Sequence, residues 1–169
     1  MISTDSVYDV CDPGVRSGPI KETDAIRPLT QKEIKKMAKD EEYGHDKLRC
    51  EEYLSSHIKT FDQGFNYICL RLPDVIGPFD STCRFWAYCL WIQNNKNWPI
   101  HTQKASKTDK LSFVFSEDIS GFIHSLVPLT NDEVFMRKIF GQSFNFSFNE
   151  NPTLDEFINM IVKNSLNFF

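Results

Sequence analysis

Tyr43 and Lys47 stand four residues apart in the stretch "YGHDKLRCEEYL". On a helix that spacing puts both side chains on one face, one turn apart. An ammonium beside a phenol favours the phenolate, which equips the ring to give or take a proton. Chance pairing in a chain of this make-up gives about 0.4 such spacings, so the pair alone is a modest signal. A second set is Ser3-Thr4-Asp5-Ser6. Hydroxyls at a strand end can hydrogen-bond a substrate oxygen, although Ser and Thr there more often cap the next turn. A third is "RLPDVIGP", residues 71–78, whose plain reading is a strand running into a Pro-Gly turn.

These side chains need elements to hold them. Residues 2–8 read as a strand and 11–28, with two Gly and three Pro, as a loop. Thr30 to Glu33 fits a capping box opening a short helix. A longer helix is expected from about Glu42 to Lys59, with Tyr43, Lys47, Cys50, Leu54 and Ile58 sharing one face. His45 is read as a position on that helix facing away from Tyr43. The near-continuous apolar run 65–72 predicts a strand buried on both faces, as in a parallel sheet. Residues 84–95 predict an apolar helix and 104–110 a polar turn. A strand is expected at 111–116, followed by a helix capped by Asp118. A short helix follows from about Asp132 to Phe140. Alternation at Phe144, Phe146 and Phe148 predicts a half-buried strand, and Thr153 to Glu156 a second capping box. The alternation of strands and helices indicates α/β.

Composition narrows the function. The chain has 169 residues and a net charge of −4, with fifteen Phe and three Trp to fill a core. An acidic balance argues against nucleic acid or an anionic membrane as the main partner. The longest apolar run, "FWAYCLWI", is too short to span a bilayer. Five Cys without a C-x-x-C spacing, and four scattered His, argue against a disulfide framework or a zinc site. A reducing, cytoplasmic setting is the expectation.

Taken in order, these motifs resemble the extended short-chain dehydrogenase/reductase family, in its NAD-dependent epimerase/dehydratase branch. "ISTDSVYD" looks like that family's active-site strand, with Thr4 at the catalytic hydroxyl position. "PIKETDAIRP" resembles a following loop, and "YGHDKLRCEEYL" the catalytic helix. "RLPDVIGP" looks like the strand and turn before the substrate lobe. "FVFSEDISGFI" and "GQSFNFSFNENPTLDEFINMI" resemble later elements, so the resemblance runs through nearly the whole chain.

The resemblance implies the C-terminal part of a Rossmann-like parallel sheet plus a small α/β substrate-binding lobe. Residues 1–78 would carry the active-site strand and helix. Residues 79–169 would form the lobe, with about 111–127 returning to the core. Tyr43 would exchange a proton with substrate and contact the cofactor, Lys47 would hold the nicotinamide ribose and take part in catalysis, and Pro73 would line the cofactor. Thr4, Asp5, Ser6 and Asp74 would meet the substrate. The cofactor would be NAD or NADP, the substrate a small sugar-like molecule with a hydroxyl or carbonyl, and the assembly a homodimer through the Tyr43 helix.

The seven Gly are dispersed and form no G-x-G-x-x-G. The glycine-rich turn that receives the dinucleotide pyrophosphate in this family is therefore expected to be missing, along with the N-terminal half that bears it. Half a cofactor site is expected, and tight binding of the nucleotide by this chain alone is not. Asp5-Ser6 stands where dehydratases carry Asp-Glu, which disfavours dehydration. Asp74 stands where many relatives have Asn, and a carboxylate repels a diphosphate. Arg71, Arg84 and Lys96 can serve an anionic ligand, but read more simply as strand-end or surface charges. The aromatic stretch "CRFWAYCLWI" reads as a lobe helix packed on its core. Two functions stand side by side: an epimerase- or dehydrogenase-like oxidoreductase, and a non-catalytic binding protein or inactive fragment.

Overall fold

The computed structural model describes residues 1–12, 14, 18–59, 65–94 and 108–165. They form a mixed α/β structure with two parallel sheets and divide into two compact units. One comprises residues 1–73 and 121–146, the other 74–120 and 147–169. Lys96 and most of the expected 104–110 turn lie outside the described residues.

The first unit is built on β1 (Ile2–Thr4), β2 (Cys69–Leu72) and β5 (Ser143–Asn145), in the order β1-β2-β5. All pairings are parallel, with Ile2 opposite Leu70 and Leu70 opposite Phe144. β2 is central, and all four of its residues are buried, as its continuous apolar run predicts. The Leu70 amide donates to the Met1 carbonyl at 3.0 Å. Alternation along the strand therefore turns the Ile2 and Thr4 peptide groups toward the outer edge of β1. At the other side of the sheet, the Asn145 amide donates to Glu22 Oε1 and its side-chain amide to the Ile20 carbonyl.

The first strand is shorter than its sequence pattern predicts. Thr4 Oγ1 accepts from the Ser6 amide at 3.2 Å and caps a 3-10 turn, Asp5–Val10. That turn delivers Val7, Tyr8, Val10 and Cys11 into a core closed by Leu48. Thr30 caps α1 (Gln31–Asp40) by accepting from the Glu33 amide, and Glu41 caps α2 (Glu42–His57) by accepting from the Gly44 amide. Side-chain oxygens at these positions satisfy amides that the first helical turn leaves without partners.

α2 docks through a stripe that hydropathy alone does not mark. Its buried residues are Gly44, Leu48 and Glu51, at spacings of four and three. Tyr43 and Cys50, on the face singled out by spacing, are exposed. Gly44 is required at its position: a Cβ there would stand 2.2 Å from the Ser6 carbonyl oxygen. The helix and the 3-10 turn thus meet backbone to backbone.

In the second unit β3 (Asp74–Ile76) pairs in parallel with β4 (Phe113–Phe115). α3 (Arg84–Gln93) packs on α6 (Leu154–Ser165). Phe113, Phe157 and Ile161 form the core, and the rings of Phe113 and Phe157 stack at 4.6 Å. The capping box of α6 forms as its sequence predicts: Thr153 and Glu156 exchange backbone-to-side-chain hydrogen bonds at 2.7 and 3.2 Å. Among the described residues, α4 (Ser116–Leu126) begins in the second unit and ends in the first, and α5 (Glu133–Ile139), like β5, belongs to the first. Ser116 opens α4, so Asp118 lies in its first turn rather than at its cap. The last Phe alternation yields only Ser143–Asn145 as strand.

Candidate active site

α2 lies along the segment Ile2–Ser6. Lys47 Nζ donates to the Ile2 carbonyl at 3.2 Å, and Gly44 is pressed against the Ser6 carbonyl. These two contacts bracket Thr4. The Lys47 ammonium also lies 5.8 Å from the centroid of the Tyr43 ring, so the two side chains share one helix face as their spacing predicts. Tyr43, Lys47, Met1 and Ile2 line an open groove of about 1120 Å³ that continues along α2 past Cys50 and Tyr53.

Thr4 is 7% exposed, and its hydroxyl caps the turn that follows. It also makes contacts at 3.4 Å to Asp5 Oδ1 and Ser6 Oγ. It is not among the residues that line the groove. The structure therefore brings Tyr43 and Lys47 together beside β1 and places Thr4 one layer in, on the segment they flank. Asp5 and Ser6 open the 3-10 turn. Pro73 joins β2 to β3. Asp74 is half-exposed, in the second unit, and is paired with Arg84 at 2.7 Å. The two line a cavity of about 290 Å³ with Tyr88, Trp91 and Phe157.

The polar centre of the first unit is one that sequence reasoning did not assign. Arg71 is buried rather than a surface charge. Its Nη2 lies 2.7 Å from Glu51 Oε2, and its Nη1 donates to Tyr8 Oη and to the Glu22 carbonyl, each at 2.9 Å. Tyr8 in turn donates to Asn145 Oδ1 at 2.6 Å. Glu51 also accepts from Ser3 Oγ and Ser143 Oγ. Burial opposes the charge on Arg71, but its hydrogen bonds to Glu51 and Tyr8 outweigh that and hold it above its ordinary range. Burial pushes the Tyr8 phenol up, against the pull of Arg71. Burial also pushes the Cys69 thiol up, and the charge of Glu51 adds to it. The one sequence signal for this centre is phase: Glu51 follows Lys47 by four residues on a helix.

No helix among the described residues is long and apolar enough to cross a membrane. The described residues hold no cluster of His, Cys, Asp and Glu suited to a metal ion.

An α/β structure with parallel strands and a helix-borne Tyr-Lys pair beside the first of them has the fold of the C-terminal part of Rossmann-like epimerases and dehydratases. One similar solved structure is dTDP-glucose 4,6-dehydratase from Bacillus anthracis in complex with NAD. It matches at 15% identity and TM-score 0.56, over 96% of this chain and 44% of that one. Another is UDP-N-acetylglucosamine 4-epimerase from Methanobrevibacter ruminantium, at 17% identity and TM-score 0.59, over 98% and 46%. An epimerase from Methanothermobacter thermautotrophicus matches at 15% and 0.60, over 98% and 43%. The chain thus spans less than half the length of these neighbours. No family model and no curated protein matches the sequence.

Proposed function

We propose that this chain carries the proton-transfer and nicotinamide-ribose side of an NAD(P)-dependent oxidoreductase of the epimerase or dehydrogenase type. Its substrate would be a sugar-like molecule bearing a hydroxyl or carbonyl. The observation that carries the reading is the Lys47 ammonium 5.8 Å from the Tyr43 ring, on a helix held against the carbonyls of Ile2 and Ser6.

Tyr43 lines the groove and is 57% exposed, and it would exchange a proton with a substrate oxygen. The Lys47 ammonium has three N–H donors, and the Ile2 carbonyl takes one, leaving two for a ribose diol. Thr4 sets the turn that follows the strand and, with Asp5 and Ser6, forms the end of the site nearest the substrate. Pro73 would border the cofactor. The bound nicotinamide would supply or accept hydride, and this chain's residues fit its ribose end only. Asp74, paired with Arg84, is a poor partner for a diphosphate. This reading goes with a cytoplasmic setting and with a homodimer through α2, whose Tyr53 is 62% exposed.

One observation favours a second reading, binding without turnover. Thr4 is 7% exposed, and its hydroxyl accepts from the Ser6 amide and contacts Asp5 Oδ1 and Ser6 Oγ within its own turn.

The test is a fluorescence titration of the purified chain with NADH. Weak, saturable binding that Lys47→Met reduces at least tenfold supports the proposal. Binding indifferent to Lys47→Met contradicts it. A Tyr43→Phe chain that binds like the parent then separates proton transfer from binding.

A further inference from the structure

The Glu51 carboxylate contacts every strand of the first unit's sheet. It accepts from Ser3 Oγ on β1, from Arg71 Nη2 at 2.7 Å and Nε at 3.2 Å on β2, and from Ser143 Oγ at 3.1 Å on β5. It stands on α2, one turn past Lys47 and two turns past Tyr43 on the same side of the helix. At the other end of that stretch, Gly44 is fixed against the Ser6 carbonyl. Between the two anchors Lys47 reaches the Ile2 carbonyl.

A buried ion pair is a poor choice for stability alone, because a well-packed apolar pair of the same volume does as well or better. Directed hydrogen bonds supply something that apolar packing does not. A side chain packed by shape alone tolerates a slide along the helix axis. A carboxylate bonded to three strands at once does not, because a shift that shortens one contact lengthens another. We propose that Glu51, backed by Arg71, is a positioning residue: its three-strand clamp sets the axial register of α2 on β1 and thereby places Lys47 and Tyr43. The inference rests on the proposed roles of those two residues, but its geometry stands apart from any cofactor.

The test reads that geometry directly in the intact chain. Labelling Ile carbonyl carbons with ¹³C and Ser amides with ¹⁵N isolates two peptide groups by NMR, Ile2–Ser3 and Ile119–Ser120. Lys47→Met gives the Ile2 carbonyl shift without its ammonium partner. Glu51→Gln is expected to move the Ile2 signal most of the way to that position and to leave the Ile119 signal in place. Ser143→Ala removes one contact and keeps the ion pair, and is expected to move the signal part of the way. Should Glu51→Gln fail to fold, Ser143→Ala decides alone. An Ile2 signal that stays at its parent position in a folded variant overturns the inference. NADH titration of the parent chain judges the functional reading separately, so failure of one is distinguishable from failure of the other.

Discussion

Arg71 on β2 and Glu51 on α2 form an ion pair at 2.7 Å with side chains 6% and 7% exposed. Both charges are out of water, so each is tolerable only while the other is present. Glu51→Ala or Arg71→Ala should therefore cost about 3–5 kcal/mol, seen as a lower denaturation midpoint in urea at an unchanged slope. Glu51→Leu combined with Arg71→Met should recover most of the loss. A single substitution costing under about 1 kcal/mol would show the pair to be solvated.

Alkaline pH should destabilise the chain. Tyr8 and Cys69 both have folded pKa values raised by burial. A raised value means that the unfolded chain loses the proton first as pH climbs. Their contribution is complete below their ordinary values, 9.0 for the thiol and 10.0 for the phenol, and is lost as pH rises toward and through the folded values. Urea midpoints measured from pH 8 upward should fall from about pH 9, and Cys69→Ala should flatten the first part of that decline. A midpoint constant to pH 11 would contradict the burial of both groups.

Gly44→Ala tests the close approach of α2 to the 3-10 turn. Alanine is the better helix former by about 1 kcal/mol, so an open position would gain stability. Here the new Cβ meets a backbone carbonyl oxygen at 2.2 Å, and the helix must move. A net loss of about 1–3 kcal/mol is expected, with a change in the Ser6 amide resonance. A gain in stability would place the helix farther from the turn.

Much of this arrangement was legible in local sequence, where a residue and its partner lie within a few positions. Thr153 and Glu156 announce their helix, as Thr30 does, because a cap is a local hydrogen bond. The apolar run into Cys69–Leu72 announces a strand buried on both faces. The docking stripe of α2 was not legible. Gly44 earns its place by having no side chain, and Glu51 is buried only because Ser3, Arg71 and Ser143 meet it from 48, 20 and 92 residues away. Arg71 read as a strand-end charge for the same reason. The strand at Ile2 stops at Thr4 because the Thr4 hydroxyl captures the Ser6 amide, a choice that apolar alternation does not encode.

In the proposed function, Tyr43, Lys47 and the segment Ile2–Ser6 form one nicotinamide-ribose site. The most direct measurement is NADH titration of uniformly ¹⁵N-labelled chain, followed residue by residue. Saturable shifts in the millimolar range are expected, centred on Ile2, Ser3, Tyr43 and Lys47 and abolished by Lys47→Met. Shifts centred on other residues, or shifts at this site that Lys47→Met leaves intact, would contradict it.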